Sequence, residues 1–172
     1  MKTTFYALVV ATAALWLSSC AEQTVNTIAP GSFSGMNSGS VYVPVFDAKP
    51  SVASAATTEF ITDLAASTRA TIVRGDSIAH DSNPDLTSGS MLQDVNAGIE
   101  TARQRGASLM VSGEIETHRA SGGYSAVAIF QIITLADGAT VSRLRQEYTA
   151  ADERQAALGV ARQAALVMAA AF

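Results

Sequence analysis

The chain has 172 residues, of which 48% are hydrophobic and 15% charged, and a formal net charge of -4. That is room for one domain with a sizeable core once a leader is set aside. Lys2 and Lys49 are the only lysines among the 11 basic residues. The arginines are scattered singly, so no basic stripe exists for nucleic acid and that class of partner is excluded. Cys20 is the sole cysteine, so the fold must hold by packing, without an internal disulfide.

Met1 and Lys2 give a minimal positive start, and residues 5–17 form a mostly apolar run. Its length suits a signal-peptide core and falls short of the roughly 20 residues that a bilayer span needs. The run ends in Leu17-Ser18-Ser19-Cys20, which resembles the lipobox of bacterial lipoproteins. The resemblance implies that residues 1–19 are a signal peptide removed on export and that the Cys20 sulfur carries lipid, so the protein partners a membrane through that lipid. Ala21 stands where an aspartate signals inner-membrane retention in that family. This implies an outer-membrane anchor with the domain facing the periplasm. An ordinary secretory leader cut near Ala14, with Cys20 a plain thiol, is the competing reading.

Residues 20–40 read as the lipidated cysteine and a flexible tether, rich in Gly, Ser, Thr and Asn and without an apolar period. Such a tether has an r.m.s. reach of roughly 25 Å.

Residues 41–172 carry the folded pattern. VYVPVF at 41–46 predicts a first strand, in which Pro44 requires either an edge position or a local break. Phe60, Ile61 and Leu64 at helical spacing predict a helix over 54–68, followed by a short strand over 70–74. The polar stretch 75–89, with His80 and Asp81, reads as a loop. Ser90 and Gln93 form a capping-box pattern that opens a helix with Val95, Ile99 and Ala102 on its apolar face and Gly106 just past its end. Residues 108–118 alternate, with Leu109, Val111 and Ile115 on one face and Met110, Ser112, Glu114, Glu116 and His118 on the other. Ser121-Gly122-Gly123 is a turn. The next strand, 124–135, is apolar on both parities, which predicts cover on both faces for much of its length. Ala136-Asp137-Gly138 is a second turn, and residues 140–148 form a last strand with Arg143 and Arg145 exposed. An alanine-rich helix over 152–172 closes the chain. The expected fold is α/β, a single mixed sheet of about five strands in the order β-α-β-α-β-β-β-α, packed with three helices.

That order resembles the domain shared by curli-secretion lipoproteins, lipoprotein activators of penicillin-binding proteins and the amino-terminal domain of TolB. The pieces that carry the likeness are VYVPVF at 41–46, ARQRGASLMVSG at 102–113 and LADGA at 135–139. The resemblance implies a non-catalytic protein-binding or assembly module of the cell envelope, serving secretion or surface-appendage assembly with an envelope protein partner. Oligomerisation is common in the group, which makes a second copy of the chain a candidate partner. The chain is too compact for the pore-forming hairpins of curli channels. Its tether is also short for the reach of synthase activators, and activation of a peptidoglycan synthase stands as one alternative function, a metal-binding protein or enzyme using the Glu114, Glu116 and His118 strand face as another.

Glu114, Glu116 and His118 put two carboxylates and an imidazole on one strand face, ligand types that a divalent metal accepts. Successive same-face residues are about 6.6 Å apart, so a solvated strand face is the plainer reading. His80 and Asp81 could join such a site or be plain surface. No nucleophile elbow, phosphate loop, H-E-x-x-H or C-x-x-C occurs, and Ser88 and Ser90 suit a turn and a cap, so neither an enzyme nor a cofactor is expected. In the last helix Ala161, Ala164, Ala165 and Ala169, with Leu158 and Met168, offer a face for the sheet or for self-association.

Overall fold

The computed structural model describes residues 28–33, 39–77 and 89–172. The leader, Cys20, His80 and Asp81, and the side chains of the capping box at Ser90 and Gln93 lie outside the described residues.

β-Branched residues set the first strand, β1 (Ser40–Val45), with Val41 and Val43 buried on one face and Tyr42 on the other. It lies inside the sheet, parallel to β3 (Thr71–Ser77) on one side and β4 (Leu109–Ala120) on the other. Of the two expectations for Pro44, the local break is therefore the one realised. The ladder to β3 shifts register between Val43 and Val45, and β4 passes from β1 to the two-residue β2 (Asp47–Ala48). Where the ladder breaks, the Phe46 N–H donates to the buried Thr57 hydroxyl at 2.9 Å, and that hydroxyl donates to the Ala53 carbonyl. β4, β5 (Gly123–Thr134) and β6 (Thr140–Ala150) complete the sheet as an antiparallel meander, in the order β3-β1-β4-β5-β6. Gly122 and Gly138, at φ 91° and 74°, make the two connecting turns in the left-handed region that a side chain would disfavour. Asp137 fixes the second turn by accepting from the Thr134 hydroxyl and the Ala139 N–H, which hold its carboxyl below the usual range.

The helices divide unequally between the faces. α1 (Pro50–Ser67) begins earlier than the periodicity predicts, because the ring of Pro50 presets a helical φ and its missing N–H would have no partner there anyway. α1 packs on one sheet face beside α3 (Glu153–Ala169), and α2 (Gly89–Gln104) packs on the other. The connection from β6 to α3 is only Ala151 and Asp152, so α3 must run back along the sheet, its start capped by the Asp152 carboxylate accepting from the Gln155 N–H at 2.8 Å. Lys49 and Glu153 pair where α1 and α3 begin, and Arg162 reaches Glu59 and Asp63 further along, so the two helices run parallel. The Lys49 bond, followed by a 2.5 Å bond from the Thr117 hydroxyl, lowers the Glu153 pKa.

Between these helices and the sheet sits the main core. Ala161, Ala164 and Ala165 are fully buried and Met168 nearly so, which consumes the alanine face in packing and removes it as a self-association surface. Phe46, Phe60 and Phe130 form a mutual cluster with ring centroids 5.1 to 5.4 Å apart. Gly113 makes room for two of these rings. A Cβ there would lie 2.7 Å from Phe130 and 2.9 Å from Phe46, inside van der Waals contact. Gly113→Ala is therefore expected to cost about 1–3 kcal/mol by overpacking. Urea unfolding measures it, and an unchanged midpoint would show that the rings yield freely.

The tether also differs from its expectation over residues 28–33. Ile28 and Phe33 are buried, and Phe33 meets the Phe172 ring at 5.6 Å. Apolar residues spaced five apart carry no helical or strand period, which is why this docking is invisible in the sequence pattern.

Candidate functional site

The second sheet face has less apolar cover than the first. α2 presents Ile99 and Ala102 to Tyr42, Met110, Ile133 and Leu135, with Val73, Val95 and Ala107 packed at the margin of this small cluster. Beyond it, three strands expose a continuous surface whose rows are set by the antiparallel registers. Ser112, Gln131 and Arg143 form one row, and Glu114, Ile129 and Arg145 the next. Glu116, Val127 and Glu147 follow, then His118, Ser125 and Thr149.

Cover on both faces, expected for much of β5, is met at Ile133 under α2 and is missing in the middle of the strand. Phe130 and Ile132 face the helices and are buried, whereas Ile129 is 37% exposed and Val127 and Gln131 are half-buried. Arg143 departs from its expectation in the other direction: it is half-buried, while Arg145 is exposed as predicted. Apolar residues on both parities describe a strand whose outward side chains have lost water to their cross-strand neighbours as well as to any helix above them. Sequence alternation alone cannot separate those two causes. The usable signal was on β6, where Arg143, Arg145 and Glu147 share the parity opposite to buried Leu144 and Gln146.

The chemistry of the face is graded. Asp47, Glu114 and Glu116 make its β2–β4 margin acidic, and Arg143 and Arg145 bring positive charge to β6. Ile129 and Val127 form the apolar centre. Arg145 lies 3.6 Å from Glu147, which also accepts from the Ser125 hydroxyl at 3.2 Å. An apolar centre with a charged rim is the composition of a protein interface.

Glu114, Glu116 and His118 do share one face of β4, as alternation predicts, and all three are exposed. The extended backbone keeps them spread. Among the described residues no group of three or more His, Cys, Asp or Glu side chains is placed to hold one metal ion. A depression of about 320 Å³ beside them, between β2 and β4, is lined by Asp47, Lys49 and residues 114–118. It is shallow and open to solvent, without the enclosure that small-molecule sites use. Elsewhere, Tyr42 lies under the Arg105 guanidinium, 5.7 Å from its ring centroid, and burial raises its pKa. Among the described residues no helix is long and apolar enough to cross a membrane.

The sequence matches no protein-family model and no curated protein. Solved structures share the fold. The chain is similar to PelC from Paraburkholderia phytofirmans, solved as a dodecamer, with a TM-score of 0.55 at 18% identity, covering 87% of this chain and 94% of that one. It is also similar to lipoprotein GNA1162 from Neisseria meningitidis, with a TM-score of 0.45 at 9% identity, covering 76% and 96% of the two chains. The C-terminal domain of LpoB from Salmonella enterica gives a TM-score of 0.43 at 12% identity, covering 72% and 96%. At these identities the likeness is one of fold, and of these three the PelC superposition has a TM-score above 0.5.

Proposed function

We propose that the chain is a lipid-anchored, non-catalytic assembly module of the bacterial envelope, held at the outer membrane through Cys20 and working through protein contacts of the open sheet face. The observation that carries this reading is the face itself. Three long strands, β4, β5 and β6, hold an apolar centre and a charged rim toward solvent beyond the α2 cluster, while the opposite face is filled by α1 and α3. Self-association is one use of such a face, and the dodecameric state of PelC, similar in fold, supports it. Secretion or surface-appendage assembly is the finer role that fits a periplasmic module of this kind.

The test is the size of the detergent-extracted mature protein by light scattering, together with crosslinking in intact membranes. The expected result is an assembly larger than one chain, or a crosslinked envelope protein, that is lost in Ile129→Asp. Ile129 is exposed, so this substitution should leave the fold intact. A monomer without crosslinked partners, identical in wild type and variant, would sink the reading.

A further inference from the structure

We infer that the domain rests on its membrane by the C-terminal end of α3 and the docked segment 28–33, with the β4–β5 turn and the acidic margin of the open face held away from lipid. The inference rests on lipid attachment at Cys20, proposed above. The chain arriving from Cys20 is clamped at one end of the molecule. The Gly31 N–H donates to the Ala170 carbonyl at 3.1 Å and the Phe33 N–H to the Ala171 carbonyl at 2.7 Å, while Ile28 and Phe33 are buried against the same end. Eight residue steps separate Cys20 from Ile28, a contour of at most about 29 Å whatever its conformation. α3 itself is about 25 Å long, since each residue rises 1.5 Å. The lipid could therefore reach the far end of the domain only with the intervening chain drawn almost straight along the helix.

The chemistry of the two ends agrees with this placement. No side chain ionises in residues 28–33 or 164–172; a charged group nearby at this end is Asp137, on the β5–β6 turn. Leu166, one turn before the Ala170 clamp, is 53% exposed, an apolar side chain that gains by leaving water for the acyl boundary. Parallel α1 ends on the same side with exposed Ala65 and Ala66, and Arg69 follows, a cation suited to phosphate head groups. The opposite end is densely charged, with Glu116, Glu147, Asp152 and Glu153 standing among Lys49, Arg119 and Arg154, groups that lose hydration if pressed into the acyl boundary. The orientation therefore gains apolar burial at one end and spares the charged groups of the other from desolvation.

The experiment uses the lipidated mature protein in vesicles whose acyl chains carry a fluorescence quencher. An environment-sensitive dye is placed on Leu166→Cys or, separately, on Ser121→Cys at the exposed β4–β5 turn; lipid blocks the Cys20 thiol. The expected result is flotation with the vesicles and several-fold stronger quenching at position 166 than at 121. Flotation with an unquenched position 166, as when a second copy covers it, or with equal quenching at both positions overturns the orientation and leaves the anchor standing. Failure to float overturns the anchor and the orientation together.

Discussion

Cys20→Ser is expected to remove the protein from the outer-membrane fraction while leaving the unfolding midpoint of its domain unchanged. Under the proposed lipidation of Cys20 the serine oxygen cannot replace the thiol, and stable anchoring by acylation depends on that attachment, because even one acyl chain alone binds only marginally. Among the described residues no helix offers a second way across the bilayer. The core formed by the described residues runs from Ile28 to Ala171, C-terminal to Cys20 in the chain, and stability is expected not to follow the anchor. Fractionation and urea unfolding of the same preparation separate the two effects. Retention of the variant in the outer-membrane fraction would return Cys20 to the status of a plain thiol behind an ordinary leader.

Phe130→Ala is expected to cost about 3–5 kcal/mol, the range for emptying a buried aromatic site. Domains of this kind are stable by only about 5–15 kcal/mol, so the variant sits near or below the folding threshold. Phe130 is fully buried and stacks on Phe60 at 5.4 Å while meeting Phe46 edge-on at 5.2 Å, so its removal strips contacts from two further rings. The neighbouring Ile129→Ala should cost well under half as much, because its side chain lies on the open face and is 37% exposed. The two midpoints, measured in urea, thus report which face of β5 is core. Equal losses would mean that the second face is covered in solution, and a loss at Ile129 that depends on protein concentration would trace that cover to association.

The contrast between these adjacent residues shows where sequence reasoning reached its limit. Alternation placed Glu114, Glu116 and His118 together on β4 correctly, since a period of two fixes which side chains share a face. It could not say what lies above that face, because cover comes from elements distant in sequence. α2 covers Tyr42 and Met110 but leaves Ile129 open, although all three sit on the same side of the sheet. The metal reading likewise came from residue types in a pattern, while a metal site needs converging side chains, and strand geometry spreads them.

The sequence by itself determined the class of the fold, the order of its strands and helices, the two glycine turns of the meander and the helix end at Gly106. These are local matters of period, capping and allowed backbone angle, and each is written within a few residues. The tertiary structure alone decided that β1 is interior despite Pro44, that segment 28–33 docks on α3, that the alanine face is used up in packing, and that the described residues leave one sheet face largely open. Each of these depends on which distant surfaces meet, and burial against a distant partner is an energy that no short window of residues contains.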